Sequence, residues 1–140
     1  MDFDLTQDQT LFRDAGEKLL DKHRALPTGH ASYVIDGSPI RRELQEAGFI
    51  DIAKEEGCGA FDALLLVESV AALPQAVEVA ASALVAPMIG AAVEGPVALV
   101  CGMPVGRPIR FLPQARTLLV SDGGAVHAFP VVAEIGRAHV

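Results

Sequence analysis

The side chains best suited to acid–base chemistry in this sequence are three glutamates with apolar neighbours. Glu55 and Glu56 fall in a glycine-rich stretch, and Glu68 interrupts an apolar run. A carboxylate that removes a proton at neutral pH needs a site from which water is largely excluded. We expect the first two to be solvated loop residues and Glu68 to be satisfied by hydrogen bonding at a helix packing edge. None of the three is predicted to be catalytic.

Histidine and serine are the residue types of two other kinds of site, a metal site and a hydrolytic triad. The histidines lack the spacing of metal ligands; they are His23, His30, His127 and His139. Ser121, Asp122 and His127 are the residue types of a hydrolytic triad. Nothing like a nucleophile elbow surrounds the serine, however. We therefore predict no metal site and no catalytic residue in this chain.

Composition and charge narrow the class of protein. The 140 residues are 51% hydrophobic and carry a formal charge of -7, which is typical of a soluble globular protein. The basic cluster at 18–24 is diluted by Glu17 and Asp21, so nucleic acid is not an expected partner. The most apolar run, 79–93, is shorter than the roughly 20 residues of a membrane-spanning helix.

Two features of the sequence favour the cytoplasm. The acidic start of the chain lacks the charged and apolar regions of a signal peptide. Cys58 and Cys101 lie far apart and form no CxxC pair, which fits a reducing compartment better than a disulfide framework. We therefore expect a cytoplasmic protein without a membrane span.

Local signals predict four helices in the first two thirds of the chain. Thr6 and Gln9 have the spacing of a capping box at the start of the first helix. Pro39 and Gly48 are typical of the start and the stop of a second helix, after an irregular connection at 26–37. Two largely buried helices are then predicted, over about 61–72 and about 75–91.

The composition and the hydrophobic pattern of the sequence change near residue 95. A short apolar run at 97–100 is followed by a stretch rich in glycine and proline. Two strand-like runs, 117–121 and 125–129, then flank Asp122-Gly-Gly, a good hairpin signal. The chain is thus predicted to pass from helices to antiparallel sheet.

Taken in order, four segments resemble the start of an acyl-CoA dehydrogenase, and the resemblance extends to about residue 132. The opening MDFDLTQDQTLFRD is similar to the family's first helix, and IRRELQEAGFI at 40–50 to its short second helix. AKEEGCGA at 53–60 is similar to the family's Pro-Glu-Glu-x-Gly-Gly-x-Gly loop, with Ala53 and Cys58 as departures. LLLVESV at 64–70 is similar to its apolar helix carrying Val-x-Glu-Glu-Leu.

The resemblance implies a mainly α fold in three parts. Residues 1–94 would form the N-terminal helical domain, and residues 95–133 the start of a contracted or truncated middle β-domain, an incomplete antiparallel segment. Residues 134–140 continue no strand pattern and can be back-translated into a common sequencing-adapter oligonucleotide, so we expect a non-native tail, with a native short tail as the alternative.

The family's activity is the α,β-dehydrogenation of an acyl-CoA thioester by FAD, with a carboxylate base from a C-terminal domain that this chain lacks. Cys101 and Gly102 replace the family's Thr-Glu, and no Gly-Ser-Asp follows, so no flavin contact is expected in this chain. The parent enzyme or complex would hold FAD, and the chain alone would be inactive.

Leu84 and Met88 are the candidates for lining the acyl-chain cavity that the resemblance implies, with ordinary core packing as the alternative for each. The competing functions are a non-catalytic subunit of a heteromeric acyl-CoA dehydrogenase and a helical interaction module. In each case the chain is expected to act as a homo- or hetero-oligomer.

Overall fold

The computed structural model describes residues 4–26, 28–29, 34–90, 93–103 and 105–132. His30, His139 and the predicted tail at 134–140 lie outside these residues. Four helices occupy the first part of the chain: α1 (Gln7–Leu20), α2 (Ser38–Glu46), α3 (Ala60–Ala71) and α4 (Ala86–Ile89). A π-helical turn, Ala81–Val85, leads into α4, and 3-10 turns lie at Asp21–His23, Ile52–Lys54 and Leu112–Gln114.

The capping box predicted at the start of α1 is confirmed. The Thr6 hydroxyl accepts the Gln9 backbone N–H at 3.2 Å, and the Gln9 side chain accepts the Thr6 backbone N–H at 3.0 Å. The second and third predicted helices are also confirmed, to within a residue or two at their ends. Gly48, with φ 82°, ends the turn after α2 in the left-handed region that glycine adopts without steric cost.

The fourth predicted helix is wrong at its start. Residues Gln75–Ala76 form strand β2, which pairs in parallel with β1 (Ile35–Asp36), and helix begins only at about residue 80. β1 itself falls in the predicted irregular connection. Hydrogen bonds between segments forty residues apart in sequence override the helical preference of the apolar residues that follow Pro74.

The prediction of a mainly α fold with an antiparallel β segment is also wrong. About 45% of the described residues are helical and 16% lie in strands of two small sheets, so the fold is mixed α/β. The larger sheet has the order β3 (Val97–Cys101), β4 (Thr117–Ser121), β5 (Val126–Pro130). β4 and β5 form the predicted hairpin, but β3 pairs with β4 in parallel. Residues 102–116 return the chain to the end of the sheet at which β3 began, as a parallel pair requires.

Two apolar clusters hold these elements together. The larger one joins α1, α2, α3 and the segment before α4; its fully buried side chains include Leu20, Leu44, Leu66 and Val79. The smaller one joins the sheet to the helices through Ala86, Val97 and Leu119. No helix among the described residues combines the length and the hydrophobicity needed to cross a lipid bilayer. The division of the chain near residue 94 stays a prediction.

Candidate functional site

The three glutamates considered for acid–base chemistry lie on the surface. Glu55 and Glu56 are exposed in the loop after the second 3-10 turn, and Glu68 is exposed on α3. None has the enclosed environment that favours proton abstraction from carbon at neutral pH.

Ser121, Asp122 and His127 do not form a triad. His127 Nε2 lies 3.2 Å from Asp122 Oδ2, and both side chains are about half exposed. Ser121 is the register partner of Val126, so its side chain lies on the opposite face of the sheet from that of His127. The pair is therefore a solvent-exposed hydrogen-bonding pair at the hairpin, without a nucleophile.

The described histidines and cysteines lie at or near the surface. No group of three or more potential metal ligands occurs among the described residues. His23 Nε2 lies 3.0 Å from a Glu43 oxygen, and Lys22 also donates to this carboxylate. The hydrogen bond from Lys22, followed by that from His23, lowers the pKa of Glu43. Cys58 and Cys101 are free and exposed.

The two residues predicted to line an acyl-chain cavity occupy different environments. Leu84 is partly buried and packs against the larger apolar cluster, which is the alternative considered for it. Met88 is 78% exposed on α4. Neither residue lines the cavity that lies between α3 and β3.

That cavity is an apolar groove of about 600 Å³ between the end of α3, the two short strands and β3. This volume falls in the range of small-molecule sites, roughly 300–1,000 Å³. Its walls carry aliphatic side chains from four segments: Val67, Val70, Leu73, Val77, Val97 and Leu99. A second lobe of about 490 Å³ continues it past Ala76, Arg110 and Phe111, which line both lobes. We call the two lobes together the apolar groove.

Phe111 stands between the two lobes in an unfavourable backbone conformation. Its φ of 65° and ψ of 0° make it the non-glycine residue with positive φ among those described. For a bulky side chain this conformation costs roughly 1–2 kcal/mol. The Arg110 guanidinium carbon lies 5.0 Å from the centre of the Phe111 ring, a cation–π distance. Backbone strain of this kind concentrates at functional sites.

Polar groups mark two places in the groove wall. Gln75 Nε2 donates to the His23 carbonyl at 3.1 Å, whereas Gln75 Oε1 is buried without a donor among the described residues. In the second lobe, Asp36 Oδ1 accepts the Ser38 backbone N–H, the Ser38 hydroxyl and the Gln114 amide at 3.0, 2.7 and 3.3 Å. The first lobe thus combines aliphatic side chains with the polar groups of Gln75 and Glu78, and the second lobe carries the carboxylate of Asp36.

The hydrogen bonds to Asp36 also shift its titration. The backbone hydrogen bond from Ser38 is the largest cause of a pKa below the usual value for this carboxyl, and the Ser38 hydroxyl adds to it. Because the folded pKa is the lower one, this stabilisation is present at neutral pH and is lost as the pH falls through the folded pKa. The second lobe therefore holds one carboxylate that is ionised at neutral pH, Asp36, and one cation, Arg110.

A buried ion pair fixes the far wall of the groove. Arg41 Nε donates to Glu78 Oε2 at 3.1 Å, and the Glu78 side chain is 1% exposed. The same carboxylate accepts the Ser82 hydroxyl and backbone N–H at 2.7 and 3.0 Å and the Val97 backbone N–H at 3.2 Å. One side chain thereby connects α2, the π-helical turn and β3. A Cβ at Gly95 would lie 2.5 Å from an Arg41 nitrogen and 2.9 Å from the Ser82 hydroxyl oxygen, so a larger residue there would require these two side chains to shift.

Gly37→Ala is expected to separate β1 from β2 and to lower the free energy of unfolding by about 1–3 kcal/mol. A Cβ on Gly37 would lie 2.3 Å from the Ala76 carbonyl oxygen, a backbone atom that cannot turn away. Urea denaturation of the variant measures the effect. Gly124→Ala is the control, because a Cβ there has no atom within 4 Å. Equal stability of the two variants would contradict the close approach at Gly37.

Comparison of the chain with protein-family models, with curated proteins and with solved structures finds no match.

Proposed function

We propose that the chain is the N-terminal part of a flavin-dependent acyl-CoA dehydrogenase, and that the apolar groove holds the acyl group. The observation that carries this proposal is the groove itself, an aliphatic channel at the junction of the helices with β3. An acyl chain is the kind of ligand that such walls favour, because each buried methylene contributes about 0.8 kcal/mol. Of the four segments that resemble the family, the one at 64–70 lines the groove, through Val67 and Val70.

The proposal moves the acyl site away from Leu84 and Met88. The groove is lined instead by Val67 and Val70 of α3 and by Leu99 of β3. Leu84 would support the wall from the core side. Leu99→Lys, at a groove position that is 39% exposed, would then weaken acyl binding, whereas Met88→Lys at an exposed site outside the groove would leave it unchanged.

The residues at the end of β3 do not fit a flavin. This strand ends in Cys101, which is exposed, and no hydroxyl side chain follows it at Gly102. The Gly102 backbone N–H is already donated to the Ser121 carbonyl at 2.6 Å. The donors that would hold the edge of a flavin are thus missing or engaged. We therefore propose that FAD, and the carboxylate base, come from the rest of the parent enzyme or from a partner.

The same observation favours a second candidate, a non-catalytic subunit in a heteromeric acyl-CoA dehydrogenase. Such a subunit keeps the fold of the catalytic one without its flavin contacts, which agrees with the engaged Gly102 N–H. Both candidates place a cytoplasmic chain in a homo- or hetero-oligomer.

Purification of the chain alone and with its co-expressed genomic neighbours tests these proposals. An absorbance scan reports bound flavin, and oxidation of an acyl-CoA with an artificial electron acceptor reports activity. We expect no flavin with the chain alone, and flavin and activity in the complex. Flavin retained by the chain alone would contradict our conclusion about β3. A complex without flavin or activity would contradict the family proposal.

A further inference from the structure

We propose that the apolar groove selects an aliphatic chain that ends in an anionic group, with Arg110 binding the anion and Phe111 forming the platform beside it. This inference rests on the proposed function only in taking the groove as the acyl site. It adds the polarity of the ligand, its orientation and the residues that recognise its end.

Arg110 is the one cationic side chain among the described residues that line the groove, and it is exposed. No described carboxylate forms an ion pair with it, whereas Arg41, which lies in the third, much smaller cavity, is engaged by Glu78. The Arg110 guanidinium lies instead against the Phe111 ring. An arginine held over an aromatic face keeps its planar donors available for a carboxylate or phosphate.

The backbone at Phe111 indicates that the position of this ring is functional. A glycine would adopt φ 65° without strain, and phenylalanine does not. The strained residue lies where the two lobes meet and supports the guanidinium above it. A ring fixed there covers one side of an aliphatic chain bound in the first lobe and holds Arg110 at the opening of that lobe.

The charges in the walls decide the orientation of the ligand. Asp36, in the second lobe, carries a negative charge that repels an anion. In the first lobe, the carboxylate of Glu78 is neutralised by Arg41, and the remaining lining is mostly aliphatic. The aliphatic chain of the ligand therefore lies in the first lobe, with its anionic end at Arg110.

Titration calorimetry with decanoate and with decanol measures the contribution of the anion. We expect the wild-type chain to bind decanoate about tenfold more tightly, as a hydrogen bond to a charged group implies. Arg110→Gln should remove this preference and leave the affinity for decanol unchanged. Arg107→Gln is the matched control, because Arg107 is exposed in the same connection and donates to the Met103 carbonyl.

The anion has two sources to be told apart, a carboxylate at the end of the aliphatic chain and the phosphates of CoA. Decanoyl-CoA distinguishes them. If the thioester binds with the same dependence on Arg110, its phosphates supply the negative charge; tighter binding of decanoate identifies the carboxylate. Both results support the proposal. Equal affinities of the wild-type chain for decanoate and decanol would overturn it while leaving the groove as an acyl site. Failure of all three ligands to bind would overturn the assignment of the groove as well, whatever the flavin experiment shows.

Phe111→Ala and Phe111→Gly form a second matched pair. Both remove the ring, so both should weaken decanoate binding, by about tenfold. Only glycine accepts φ 65° without strain, so the glycine variant should melt at the higher temperature. Unchanged affinity in both variants would overturn the role of the platform. Equal melting temperatures would overturn the argument from strain.

Discussion

Arg41→Met is expected to lower the free energy of unfolding by about 3–5 kcal/mol. Methionine keeps the aliphatic part of the side chain but removes the cation from Glu78, whose side chain is 1% exposed. The hydrogen bonds from Ser82 and Val97 remain, but they do not neutralise the buried charge. Since small domains have a total stability of about 5–15 kcal/mol, urea denaturation should show a much earlier transition.

Two further variants separate loss of charge from loss of packing. Arg42→Ala, on the exposed side of the same helix, should change stability by less than about 0.5 kcal/mol. Arg41→Met combined with Glu78→Leu should recover part of the loss, because no buried charge is left. It should stay about 1–3 kcal/mol below the wild type, because the Val97 and Ser82 backbone N–H groups lose their acceptor. A double variant less stable than Arg41→Met alone would contradict this account.

The network around Glu78 shows what a sequence indicates about a buried charge. A glutamate in the apolar run that follows Pro74 has to find a cation or several donors if it is buried. The sequence offers many cations, and nothing local selects Arg41, which is 37 residues away. The need for a partner is therefore readable from the sequence, whereas its identity depends on how α2 packs against the π-helical turn.

Local chemistry explains the features of the fold that were predicted correctly. The capping box of α1 involves residues three apart, and the β4–β5 hairpin depends on the turn that contains Gly123, with φ 89°. In each case neighbouring residues satisfy the backbone or permit its conformation. Such features form with little contribution from the rest of the molecule, so a short window of sequence is enough to find them.

The direction of β3 could not be predicted in this way. An apolar run of five residues has the same pattern in a parallel and in an antiparallel pair. Its direction is set by the path of residues 102–116, which bring the chain back to the start of the sheet before β4. The two-residue strands β1 and β2 are a similar case, since each is held only by the other. Tertiary pairing therefore decided the fold class.

The apolar groove was missed for the same physical reason. Its lining comes from segments between Val34 and Phe111, which no periodicity connects. The resemblance pointed to Leu84 and Met88, and the groove is lined instead by the segment just before them, from Leu73 to Ala81. Leu84 and Met88 lie one and two turns further on, where the helix has rotated toward the core and then toward solvent. For Arg110 and Phe111, the only sequence signal was a cation beside an aromatic residue in an otherwise irregular connection.

Leu119→Ala is expected to lower the free energy of unfolding by about 2–5 kcal/mol and to loosen the sheet from the helices. Leu119 is fully buried in β4 and packs with Ala86 and Val97 in the small cluster that joins the two parts. Because few side chains form this cluster, its neighbours cannot move in to fill the cavity that alanine leaves. Hydrogen exchange should then show β3 and β4 exchanging faster than α1 and α3.

Leu118→Ala is the matched control for this prediction. Leu118 is the neighbouring residue of β4, on the opposite face of the sheet and only partly buried, so its removal leaves no enclosed cavity. Comparison of the two variants tests the predicted domain boundary near residue 94. If the sheet is a separate domain, Leu119→Ala should lower protection in β3 and β4 alone. If Glu78 and Leu119 join sheet and helices in one cooperative unit, protection should also fall in the helices, and Arg41→Met should lower it in the strands.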